Sequence, residues 1–191
     1  MGKGRLEAFS DGVIAIIITI MVLEMKVPHG EGLDVLKPLL AVFVSYVLSF
    51  INVGIYWNNH HHLLHVIKQV NGPILWANMH LLFWLSLLPF VTGWMGENHF
   101  APTPVAVYGF ILLMAGVAYY ILCRTLVQHH GKDSAIAIAV GNDIKGKISL
   151  VIYAIAVPLA FVPVGISLAL YGAVALMWFI PDRRIERILL N

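Results

Sequence analysis

The sequence predicts an all-α integral membrane protein of six transmembrane helices with both termini in the cytoplasm, and three observations point to it. First, the 191 residues are 60% hydrophobic and only 12% charged, whereas an ordinary soluble domain is about 25% charged. The apolar residues, about 115 of them, match five or six helical crossings at about 20 residues each, with little left over. Second, the charges leave uninterrupted apolar stretches at 38–67, 69–96, 98–123 and 148–181, and only Asp11 interrupts the stretch between Glu7 and Glu24. Third, the basic residues are distributed unevenly between the two sides that these stretches define.

The spans follow in order, because charged side chains are costly in hydrocarbon and so delimit the crossings. Single helices are expected at 6–25, 38–57, 73–95 and 104–124. Pro38, Pro73 and Pro104 stand at helix starts, where a missing N–H does no harm. The last charge-free stretch, 34 residues long, divides into 148–162 and 164–181 around a tight turn at Pro163-Val164-Gly165. Topology decides this division, since Lys and Arg collect on the cytoplasmic side. Six spans with both termini inside place Lys3, Arg5, Lys68, Arg124, Lys132, Lys145, Lys147, Arg183, Arg184 and Arg187 inside, and only Lys26 and Lys37 outside. Five spans put the three C-terminal arginines on the wrong side.

The same figures exclude several classes. A net charge of +2 is too small for a nucleic-acid-binding face, and no residues remain for an appended soluble domain. Cys123 is the single cysteine, so no intrachain disulfide or cysteine-based metal site forms. The N-terminal segment is not expected to be a cleaved signal peptide, because Asp11 interrupts its apolar core. Gly165, Ala169 and Ala173 form a small-residue stripe, read as helix packing. The segment 134–141 carries no functional reading.

Three groups of residues are candidates for a site. Asp11 is either a helix N-cap in the headgroup zone or a carboxylate inside the first span that needs partners. The partners on offer are Arg5, Asn58, Asn59, His60, Asn78 and His80, which together suggest a structural polar knot at the inner face. His60, His61, His62 and His65 lie within six residues, and the 61/65 and 62/65 pairs have helical spacing that suits a metal. No Glu-x-x-His or His-Glu-x-x-His motif accompanies them, so the default reading is an inner-face cluster, partly hydrogen-bonded and partly hydrated. In the first helix, Ile16, Thr19, Ile20 and Leu23 follow i, i+3, i+4, i+7 and share one face. That face either meets lipid and neighbouring helices or, in a symmetric oligomer with the helix on the axis, makes hydrophobic rings and one hydroxyl ring around a pore.

The segment from Arg5 through Phe9, Ser10 and Asp11 resembles the Arg-x-x-x-Phe-Ser-Asp signature of the lysosomal potassium channel transmembrane protein 175 and its bacterial relatives. Trp57-x-x-His60, Asn78 and Leu88-Pro89-Phe90-x-Thr92 resemble further motifs of that family. The resemblance implies a homotetrameric, potassium-preferring channel in which the first helix lines the pore. It implies that Ile16 forms the principal constriction, that Ile20 and Leu23 form further layers, and that Thr19 is linked to selectivity. It also implies that Arg5, Ser10 and Asp11 belong to a polar network reaching Trp57, His60 and Asn78.

The expectation is therefore a multi-pass protein of the cell membrane that acts as a potassium leak channel, with lipid and potassium ions as its partners. It is not an enzyme and has no cofactor, resident metal or nucleic-acid partner. Discrimination against sodium is expected to be moderate, because the chain has no Thr-Val-Gly-Tyr-Gly carbonyl filter. The competing readings are a metal-dependent membrane oxidoreductase using His61, His62, His65 and His80, and a proton-coupled secondary transporter using Asp11.

Overall fold

The computed structural model describes residues 2–67 and 69–179, and all regular structure among them is helical. Helix α1 is Lys3–Leu23. A 3-10 segment, Leu33–Leu39, leads into α2, Leu40–His65. Then come α3, Gly72–Ser86, and α4, Leu88–Glu97. Helix α5, Pro102–His130, is the longest at 29 residues. The short α6, Ala135–Val140, precedes α7, Ile144–Leu159, and α8, Val164–Phe179. Four stretches are long and apolar enough to cross a bilayer: Lys3–Leu23, Leu33–His65, Gly72–Glu97 and Pro102–His130. Helices α7 and α8 have 16 residues each, about 24 Å at 1.5 Å per residue.

Several boundaries differ from the sequence expectation, each for a local reason. The stretch expected as one helix over 73–95 is broken at Leu87, because Pro89 opens α4; its ring excludes the carbonyl four residues back and it has no N–H to give. Helix α2 runs on to His65, since 58–65 contain no Gly or Pro and the buried Leu63 and Leu64 keep the turn packed. Helix α5 likewise passes Arg124 and ends at Gly131, whose φ of 92° suits a residue without Cβ. The last turn lies at 160–163 rather than 163–165, with α8 beginning directly after Pro163. The small-residue stripe at Gly165, Ala169 and Ala173 is exposed among the described residues; α8 buries Ser167, Tyr171, Val174 and Ala175 instead. Lys68, Arg183, Arg184, Arg187 and the end of the span expected at 164–181 lie outside the described residues.

Side-chain bonds fix which helix ends share a side. Lys3 Nζ donates to His65 O at 2.7 Å, and Asn71 Nδ2 lies 3.0 Å from His129 Nδ1. These join the start of α1 to the end of α2, and the start of α3 to the end of α5. On the opposite side Lys26 pairs with Glu97 at 3.1 Å, both well exposed, and Tyr171 Oη donates to Val105 O at 3.2 Å. Glycine permits two close approaches. A Cβ on Gly96 would stand 2.6 Å from Val42 Cα, and one on Gly109 would overlap the Tyr171 hydroxyl. Helix α1 packs against α2, α3 and α4, and its other face is exposed among the described residues.

Candidate functional site

Helix α1 is divided lengthwise. Leu6, Ser10, Ile14, Ile17 and Met21, spaced by three and four residues, are buried against the rest of the subunit. The opposite face is open: Ile16 is 57% exposed, Ile20 40% and Leu23 79%. Thr19 shares that face. Its hydroxyl turns its proton back into the helix, toward Ile16 O at 2.9 Å and Ala15 O at 3.2 Å. The oxygen lone pairs are thereby left facing outward, with no donor to them among the described residues.

The helix begins at Lys3, so Asp11 sits in its third turn and is not an N-cap. Its carboxylate Oδ1 accepts from Trp57 Nε1 at 3.0 Å. One residue earlier, Ser10 joins a separate and fully buried chain. Ser10 Oγ donates to Leu6 O at 2.9 Å and accepts from Asn78 Nδ2 at 2.9 Å. Asn78 Oδ1 lies 2.6 Å from His60 Nε2. A carboxamide oxygen only accepts, so His60 carries its proton on Nε2, and its Nδ1 is buried with no hydrogen-bond partner among the described residues. Asn78 thus ties α1, α2 and α3 together with one side chain.

Of the expected network, the structure brings together Ser10, His60 and Asn78, and separately Asp11 with Trp57. Arg5 and Phe9 are exposed and join neither group; they lie on the open side of α1, while Ser10 faces inward. Asn59 bonds its own helix at Ile55 O, 2.8 Å away. His80 Nε2 accepts from Trp84 Nε1 at 2.9 Å. The histidine run is strung along α2: the His61 ring lies 5.8 Å from His62 and 6.2 Å from His65, and its Nδ1 is 3.3 Å from Glu7 Oε1. Among the described residues no three His, Cys, Asp or Glu side chains converge on a point where a metal ion fits.

A second polar cluster has no counterpart in the sequence reading beyond Thr92. Ser49 Oγ and Thr92 Oγ1 are 2.6 Å apart. Ser49 donates to Tyr108 Oη at 3.2 Å, and Asn52 Nδ2 lies within 3.5 Å of the same oxygen. Its signal in the sequence is the stripe Ser45, Ser49 and Asn52, spaced four and three along an otherwise apolar α2, which marks a polar helix–helix contact in a membrane.

Comparison with known proteins now identifies the family. Residues 5–89 match the family model described as the endosomal/lysosomal potassium channel TMEM175. The chain is 54% identical to a potassium channel of Chryseobacterium sp. (strain P1-3), over 98% of this chain and 97% of that one. It is 31% identical to a potassium channel of Streptomyces collinus, over 92% and 91% of the two chains. Its fold superposes on the crystal structure of a lysosomal potassium-selective channel TMEM175 homolog from Chamaesiphon minutus with a TM-score of 0.76, at 26% identity, over 93% of this chain and 96% of that one. The chain therefore belongs to the family of the endosomal/lysosomal potassium channel TMEM175.

Proposed function

We propose that the protein is a potassium-selective leak channel of the cell membrane, a homotetramer with α1 of each subunit on the symmetry axis. The observation that carries this reading is the open face of α1. Ile16, Thr19, Ile20 and Leu23 are unpartnered in one subunit while the opposite face is sealed into its core. Around a fourfold axis that face gives hydrophobic rings at Ile16, Ile20 and Leu23, with a ring of Thr19 oxygens between them. Ile16 is the principal gate, closing by dewetting. The Thr19 lone pairs replace part of the hydration of a passing potassium ion. Since no dense cage of oxygens is present, discrimination against sodium is moderate.

Each subunit crosses the bilayer six times with both termini in the cytoplasm. Lys3, Arg5, Arg124, Lys132, Lys145 and Lys147 lie toward the side that holds the start of α1, and Lys26 and Lys37 toward the other, which favours the first side as cytoplasmic. Potassium moves down its gradient with no covalent chemistry and no cofactor. The test is Ile16→Asn in purified protein reconstituted into liposomes. Wetting the constriction raises potassium flux about tenfold, the effect of lowering a barrier by about 1.4 kcal/mol. Unchanged flux removes Ile16 as the gate.

A further inference from the structure

Behind the outer half of α1, on the side away from Thr19 and Ile20, five buried side chains from four helices meet. They are Met21 of α1, Ser49 and Asn52 of α2, Thr92 of α4 and Tyr108 of α5. None belongs to the open face of α1 or to the Ser10–Asn78–His60 chain. Buried hydroxyl groups are paired with one another where they meet, and these form a line. Tyr108 Oη receives the Ser49 proton at 3.2 Å, and Ser49 Oγ stands 2.6 Å from Thr92 Oγ1. Thr92 Oγ1 in turn lies 4.0 Å from Met21 Sδ.

The line is rigid at one end and loose at the other. One turn beyond Thr92, α4 and α2 come so close at Gly96 that a Cβ there would stand 2.5 Å from Ser45 Oγ. The bond between Ser49 and Thr92 and this backbone contact strap α4 to α2, and Tyr108 adds α5. Helix α1 is attached differently at its two ends. Its first half is bonded through Lys3, Ser10 and Asp11. Its outer half meets this polar line at the buried Met21, whose sulfur is a weak acceptor, while Ile17 adds apolar contact and the exposed Lys26–Glu97 pair lies beyond the helix end. Thr92 has one proton for two acceptors, Ser49 Oγ and Met21 Sδ. While Ser49 donates to Tyr108, the Thr92 proton goes to Ser49, and Met21 is seated by contact alone. When Ser49 turns its proton to Thr92, the Thr92 proton is released toward Met21.

We propose that Ser49, Thr92 and Tyr108 are positioning residues for conduction: their hydrogen-bonded line forms the seat for Met21 and so sets how far the Thr19 and Ile20 rings stand from the axis. This rests on the reading that α1 lines the pore. The test is single-channel recording of the reconstituted full-length protein carrying Thr92→Val, which keeps the side-chain shape and removes the hydroxyl. Recordings of Ile16→Asn are made alongside. The expected result is a change of about threefold or more in unitary conductance or open probability, restored by Thr92→Ser and non-additive with Met21→Leu. A purely structural role lowers thermal stability and leaves both quantities at wild-type values in the channels that fold. That result, with Ile16→Asn still raising conductance, overturns the positioning role and spares the pore. No effect of Ile16→Asn removes the pore reading and this proposal with it. If Thr92→Val yields no folded channel, Tyr108→Phe decides by the same readings, because it keeps the ring and removes the same line of bonds at its other end.

Discussion

Asn78 holds the Ser10 hydroxyl at 2.9 Å across 68 residues of sequence, in a bond buried inside the subunit. The same amide accepts from His60, so its loss leaves the His60 ring without a partner and takes one of the two bonds of Ser10. Asn78→Leu is expected to destabilise the protein by about 2–4 kcal/mol, since each buried group left without a partner costs about 1–3 kcal/mol. Ser10→Ala removes the Asn78 contact and the bond to Leu6 O but leaves the Asn78–His60 bond in place, and costs less. Thermal unfolding in detergent orders the two variants, and equal midpoints for Asn78→Leu and wild type refute the bridging role.

The Asp11 carboxylate has one hydrogen-bond donor from another helix, Trp57 Nε1. Trp57→Phe keeps most of the ring and removes the donor, at an expected cost of about 1.5 kcal/mol or more for a bond to a charged group. Asp11→Asn preserves an acceptor and is milder. A double-mutant cycle between Asp11→Ala and Trp57→Phe is expected to show a coupling of about 1 kcal/mol. Additive effects on unfolding show that the two side chains stabilise α1 independently.

Thr19 spends its proton on its own helix and faces outward as an acceptor. Thr19→Val keeps the shape and deletes the oxygen, so the potassium-to-sodium permeability ratio is expected to fall about two- to fivefold, the scale of losing one modest polar contact. Thr19→Ser is expected to retain it. Reversal potentials under bi-ionic conditions give the ratio directly, and an unaltered value for the valine variant excludes the hydroxyl ring.

Gly109 touches the Tyr171 hydroxyl where a Cβ would overlap it, whereas the Cβ of an alanine at Gly172 meets nothing within 4 Å. Gly109→Ala is therefore expected to push Tyr171 off Val105 O and to destabilise by about 1–3 kcal/mol. Gly172→Ala is expected to stay within about 0.5 kcal/mol of wild type. Melting curves that place the two variants together contradict the close approach of α5 and α8.

The membrane class and the division of α1 into two faces were legible in the sequence, because both are statements about where charge and bulk fall along one helix. Asp11 was legible for the same reason, as the exception within an apolar stretch. The break at Leu87 was not, since a rule based on charge is blind to a proline inside an apolar run. Helix α2 continues over 58–65 and α5 over 125–130, past the expected span ends, because a helix is free to continue once it carries polar residues. Ser49 and Tyr108 escaped, and Thr92 entered only as a motif residue, because hydroxyls cost little in a span and their meeting depends on packing across 43 and 59 residues. The motif that named Arg5 and Phe9 together with Ser10 records residue types in order, and it does not record that they point to opposite sides of the helix.

The bond from Trp57 to Asp11 joins residues 46 positions apart, and this spacing sets a condition on biosynthesis. At about 5–20 residues per second, the first helix waits roughly 2–10 s with its carboxylate unmatched before the tryptophan is synthesised, and longer still for Asn78. During that interval the Asp11 carboxylate stands on α1 without the indole donor that meets it in the folded subunit. The bonds that seat the first helix thus close only after the second and third have been made.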